Sequence, residues 1–124
     1  AKFKRQHSLA KIIAITGSAG KTSLKNLICQ LLQNFEKTYS SPRSFNNHLG
    51  VPISLSNLSV EDNYGVFEVG TNHPGEIEPL VNIIKPHIAL VTNITNAHIG
   101  NFANLSKLIT YSLNGNDNRK GNIL

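Results

Sequence analysis

Cysteine is nearly absent. Cys29 stands alone in 124 residues, so no internal disulfide can form, and a reducing compartment is expected. Long apolar runs are missing as well. No stretch approaches the roughly 20 residues that a membrane-spanning helix needs, and the basic start lacks the apolar segment of a secretory signal. Neither membrane insertion nor export is therefore expected. Aromatic residues make up only 6%, and nowhere do they interleave with a basic stripe, which argues against a nucleic-acid surface. Acidic residues are few, seven against 12 lysines and arginines, leaving a formal charge of +5. Lys2, Lys4, Arg5 and Lys11 gather at the start, and residues 1–10 read as a solvated basic flank. What remains is 40% apolar and 15% charged, a globular composition at the length of one domain. A cytoplasmic protein, or a piece of one, is expected, with no oligomer.

Apolar patterning then divides the chain. Lys11-Ile12-Ile13-Ala14-Ile15-Thr16 is short, rich in β-branched residues and closed by Gly17, as a buried parallel strand would be. From Lys21 onward, Leu24, Leu27, Ile28, Leu31, Leu32 and Phe35 follow the spacing of one helix face. A short strand is expected near Thr38-Tyr39, then a loop through Asn46-Asn47-His48-Leu49-Gly50. Val51 to Leu58 fits either a strand or a helix. Tyr64 to Gly70 reads as a second buried strand carrying Glu68 near its end, and Gly75 to Ile84 as a helix with Ile77, Leu80, Val81 and Ile84 on one face. His87 to Asn93 is a further strand candidate, and Leu105, Leu108 and Ile109 suggest a last short helix. Residues 114–124 are mostly polar and read as a mobile tail after a domain spanning 11–113. This alternation predicts an α/β domain with a mostly parallel sheet flanked by helices, and its ligands should sit beyond the strand C-terminal ends.

Those ends carry the chemistry. Thr16-Gly17-Ser18-Ala19-Gly20-Lys21-Thr22-Ser23 lies between a strand and a helix, where a P-loop is found. Small residues allow the amides of Gly17, Ser18, Ala19 and Gly20 to face phosphate oxygens, while the start of the helix adds partial positive charge. Lys21 would neutralise phosphate charge, and the Thr22 hydroxyl would ligate Mg²⁺. Only two residues separate Gly17 from Gly20, shorter than the generic loop, so a structural glycine turn is the competing reading. Glu68 in an apolar strand must be compensated, and Mg²⁺ with nucleotide phosphates would do so; the alternative is an edge carboxylate facing water. His98 follows a strand on the same edge and is a candidate for a metal or phosphate contact. His48, His73 and His87 lack individual support from spacing, and no zinc pattern is present.

Four strings, Thr16 to Thr22, Asn46 to Pro52, Glu68 to Ile77 and Asn93 to His98, occur in the order found in the Mur ligases, and the chain resembles the central ATPase domain of that family. The resemblance implies an ATP- and Mg²⁺-dependent amide ligase of peptidoglycan precursor synthesis. The string Glu68-Val69-Gly70-Thr71-Asn72-His73-Pro74-Gly75-Glu76-Ile77 favours the branch that joins D-alanyl-D-alanine to UDP-N-acetylmuramoyl-tripeptide through an acyl phosphate. It further implies that Lys21 clamps the transferred phosphate, that Thr22 and Glu68 hold one Mg²⁺ and His98 helps hold a second, and that Asn72 and His73 contact substrate. Family members carry a UDP-substrate domain before this domain and a closing domain after it. The chain resembles an incomplete half of the central domain, so a truncated and inactive piece is expected. The family's carbamoylated lysine falls on Ser112, with Lys107 out of register. A non-catalytic P-loop module, or a related Mur or folylpolyglutamate-type ligase, is the alternative.

Overall fold

The structure, a computed structural model, describes residues 2–42, 47–70, 77–93 and 122–123. Helix α1 (Lys2–His7) precedes β1 (Lys11–Thr16), α2 (Lys21–Gln33), β2 (Thr38–Ser40), α3 (Gly50–Ser56), β3 (Tyr64–Glu68), α4 (Ile77–Ile84), β4 (Ile88–Val91) and β5 (Asn122–Ile123). The strands form one sheet in the order β2-β3-β1-β4-β5, and every registered pair is parallel. After β1 the chain goes out to β2 at the edge, returns to β3 beside β1, and then crosses to β4 on the other side. The switch in direction therefore lies between β1 and β4, where open α/β sheets form their ligand crevice.

Both faces of the sheet are covered, which explains why its strands read as continuous apolar runs. Successive side chains of a strand point to opposite faces. Ile12 and Ala14 of β1, Phe67 of β3 and Ala89 of β4 pack with Val51 and Leu55 of α3 and with Ile77, Leu80, Val81 and Ile84 of α4. Ile13 and Ile15, with Val66, form the second cluster, against which Leu24, Ile28 and Leu32 of α2 and Ile88 and Leu90 of β4 lie half-buried.

The predicted α/β architecture is present, with differences in detail. The ambiguous stretch after Gly50 is helical, because a helix places Val51, Leu55 and Leu58 together in the core. At its start the Asn47 side-chain oxygen accepts from the Leu49 and Gly50 amides at 3.1 and 2.7 Å. The stripe expected of α2 is only partly the buried one. Leu27, Leu31 and Phe35 are exposed, while Lys25 and Cys29 are buried.

The basic flank is not simply solvated either. Residues 2–7 form α1, and Arg5 is buried, donating from Nε to the Ile84 carbonyl and from Nη2 to the Lys85 carbonyl at 2.7 Å. A guanidinium suits this position because the last carbonyls of α4 have no intrahelical donors. At the other end, Asn122 and Ile123, expected in a mobile tail, pair with Ile88 and Ala89 as β5. The helix expected around Leu105 to Ile109 lies outside the described residues, as does Ser112.

Candidate functional site

The loop after β1 is built by two glycines with different tasks. Gly17 has φ 138°, and a Cβ there would meet the Thr92 hydroxyl at 2.0 Å, so both conformation and space demand glycine. Gly20, with φ 81°, is the left-handed residue from which α2 starts, and among the described residues nothing lies within 4 Å of where its Cβ would be. Space is therefore open at the helix start. Among the described residues no side chain caps α2, so its first amides keep the donor capacity that a helix N-terminus offers to an anion.

Three side chains meet beside that opening. The Thr22 hydroxyl donates to Glu68 Oε2 at 2.8 Å, and the Lys25 ammonium lies 3.4 Å from the same oxygen. Thr22 and Lys25 are three residues apart and share a helix face, which turns both toward the end of β3. Glu68 is 2% exposed and Lys25 1%, so the carboxylate does not face water as the bland alternative required. Its compensation is also not left to a metal alone: a buried ammonium and a hydroxyl already meet it. The sequence reading passed over Lys25. The signal available was a lysine one turn after the loop, on the same face as Thr22.

Lys21 folds back on the loop, donating from Nζ to the Gly17 carbonyl at 2.9 Å. The far wall comes from β4. Asn93 accepts the Ser18 amide at 3.2 Å and the Ala19 amide at 3.0 Å on its side-chain oxygen, and its own carbonyl accepts Ser18 N–H at 2.9 Å. The Thr92 hydroxyl donates to the Ala19 carbonyl at 2.7 Å. Of the predicted site residues, Gly17, Ser18, Ala19, Gly20, Lys21, Thr22, Ser23 and Glu68 are thus brought to one edge of the sheet. Asn72, His73 and His98 lie outside the described residues. His87 has a structural place, its Nδ1 accepting the Ile12 amide at 2.9 Å.

Two hard oxygens, from Thr22 and Glu68, converge beside an uncapped helix start. That donor set fits Mg²⁺, which takes one or two protein oxygens and completes its shell with phosphate and water. Among the described residues no cluster of three or more His, Cys, Asp or Glu forms an all-protein metal cage.

The Mur ligase middle domain model matches residues 15–114, which takes in the loop, Glu68 and the end of β4. The chain belongs to the Mur ligase family. Among its relatives is the UDP-N-acetylmuramoyl-tripeptide--D-alanyl-D-alanine ligase of Rickettsia prowazekii, 46% identical over 108 residues, which are 87% of this chain and 24% of that protein. The Escherichia coli ligase of the same name is 40% identical over 106 residues, 86% of this chain and 24% of that protein. The solved UDP-N-acetylmuramoylalanyl-D-glutamyl-2,6-diaminopimelate--D-alanyl-D-alanyl ligase of Acinetobacter baumannii superposes with a TM-score of 0.83 at 36% identity, over 89% of this chain and 26% of that one. The MurF ligase of Thermotoga maritima, solved in complex with ADP, shares the fold with a TM-score of 0.80 at 24% identity, over 99% of this chain and 34% of that one. The chain spans about a quarter of the length of the curated relatives it matches. This Mur ligase domain has no helix among its described residues long and apolar enough to cross a membrane.

Proposed function

We propose that the chain is the nucleotide-binding part of an ATP-dependent amide ligase that adds D-alanyl-D-alanine to UDP-N-acetylmuramoyl-tripeptide in the cytoplasm. The observation that carries this reading is the convergence of an uncapped helix start, the loop lysine and the Thr22–Glu68 pair on one edge of the sheet. The relatives, UDP-N-acetylmuramoyl-tripeptide--D-alanyl-D-alanine ligases, supply the substrates of this reading, and the ADP bound to the Thermotoga protein accords with the nucleotide.

In this reading the nucleotide phosphates lie on the first amides of α2, and the Lys21 ammonium exchanges the Gly17 carbonyl for a phosphate oxygen. Thr22 and Glu68 would hold Mg²⁺, which supplies charge neutralisation to the phosphates when bound. Lys25 holds the Glu68 carboxylate toward Thr22. The terminal carboxylate of the tripeptide takes the γ-phosphoryl group, releasing ADP. The amine of D-alanyl-D-alanine then attacks that acyl phosphate, forming the amide and releasing phosphate. Two anions must be held together for the first transfer, which is why cationic groups belong at this edge. His98 is proposed to help hold a second Mg²⁺, and Asn72 and His73 to contact substrate.

The reaction is proposed for a protein that includes this chain, so the test on the 124 residues is binding. Calorimetric titration with Mg·ATP should give saturable binding that Lys21→Ala weakens by at least about tenfold, since it removes the one side-chain cation of the loop. Equal affinity in the variant would leave the loop a structural turn.

A further inference from the structure

The amides that a phosphate loop is expected to offer are not all free to offer. Ala19 gives its amide to the Asn93 side chain at 3.0 Å, and Ser18 shares its own between that side chain at 3.2 Å and the Asn93 backbone carbonyl at 2.9 Å. Asn93 sits just past β4, across the switch point from the loop, and the adjacent Thr92 holds the Ala19 carbonyl at 2.7 Å. On the outer side Ala19 and Gly20 are exposed, and among the described residues nothing approaches the Gly20 Cβ position within 4 Å. The shape of this exposed turn is therefore set from the β4 side.

We propose that Asn93 is a positioning residue for phosphate binding, its side-chain carbonyl tying the Ser18 and Ala19 amides to β4 so that the first amides of α2 face the anion. The inference rests on the nucleotide reading above and adds a residue to it. A tied loop has less conformational freedom to lose when an anion binds, so the tie raises affinity by preorganisation. The side chain that does this is neutral. An aspartate would accept the same two amides with an equivalent oxygen, but would set a negative charge beside the phosphates. The site requires an acceptor without charge, and a carboxamide is such an acceptor.

The test uses the full 124-residue chain with Mg·ATP as the probe, alongside amide hydrogen exchange at Ser18 and Ala19 without nucleotide. Asn93→Ala should speed exchange at the Ala19 amide, while the Ser18 amide keeps its bond to the backbone carbonyl at position 93, and should weaken Mg·ATP about tenfold, with little change in melting temperature because these bonds are exposed. Asn93→Asp should keep the slow exchange yet weaken Mg·ATP about tenfold at low salt, and the deficit should shrink as salt screens the added charge. Asn93→Ala adds no charge, so its deficit should not shrink with salt, and its faster Ala19 exchange reports the loss of the tie itself. If wild type binds and Asn93→Asp binds equally well at low salt, the proposal is wrong while the nucleotide reading stands. Unchanged affinity in a folded Asn93→Ala variant has the same meaning. If circular dichroism shows Asn93→Ala unfolded, the aspartate variant decides. A wild-type chain that does not bind Mg·ATP overturns the nucleotide reading itself, and the proposal with it.

Discussion

Helix α4 presses Ile77, Leu80, Val81 and Ile84 into one face of the sheet, all fully buried. Helix α2 meets the other face differently. Its fully buried side chains are Lys25 and Cys29, Leu24, Ile28 and Leu32 are half-buried, and Leu27 and Leu31 are 52% and 54% exposed. The contrast comes from what each helix must do at its N-terminal end. The buried side chains of helix α4 are all apolar, so its rotation serves apolar burial. Helix α2 must also aim Thr22 and Lys25 at Glu68, and at 3.6 residues per turn the buried line then runs through Thr22, Lys25, Cys29 and Leu32. Residues on the opposite side, Leu27 and Leu31, are carried outward. Polar contacts at one end thus set the rotation of the whole helix.

A second contrast separates two lysine–glutamate pairs. Lys37–Glu61 has the shorter contact, 2.9 Å, but its side chains are 55% and 74% exposed. There Glu61 holds the Lys37 pKa above its ordinary value, through a hydrogen bond first and charge second. Lys25–Glu68 is longer at 3.4 Å and buried. Exposed pairs contribute little because water and salt compete with them, whereas breaking a buried pair strands a desolvated charge.

The largest effect is therefore expected from Lys25→Met, which should cost about 3–5 kcal/mol in urea unfolding by leaving Glu68 without its ammonium. Adding Glu68→Gln should recover most of the loss, since the uncompensated charge is then gone. A near-neutral Lys25→Met would break the comparison, because the rotation of α2 would then need another cause. Next comes Leu80→Ala on α4. It should cost about 3 kcal/mol through lost burial and a residual cavity, and the m-value should stay unchanged. The smallest effect belongs to Leu31→Lys on the outward side of α2, expected within about 0.5 kcal/mol in the same assay. A loss of more than about 2 kcal/mol there would mean that this side of α2 carries stability.

The order of elements was legible from the chain because apolar periodicity is a local property. Ile12 to Ile15 fitted a buried parallel strand, and Ile77, Leu80, Val81 and Ile84 one face of a helix. Much of the site was legible for a related reason. Gly17, Gly20, Lys21 and Thr22 are adjacent in sequence, and their joint action needs only a strand before them and a helix after. Glu68 announced itself as a carboxylate where apolar residues surround it.

What the tertiary structure decided are the encounters between distant segments. Lys25 became part of the site because Glu68, far along the chain, ends the neighbouring strand. Arg5 left the solvent because the carbonyls at the end of α4 lacked donors. Asn93 and Thr92 reached the loop because β4 crosses to the far side of β1. No local pattern encodes such meetings, since each depends on the strand order β2-β3-β1-β4-β5 and on the register that brings Ile15 opposite Glu68 and Thr16 opposite Val91. Hydrophobic spacing tells a helix that it has an apolar side, but in α2 the contacts of Thr22 and Lys25 with Glu68 turn a different side inward.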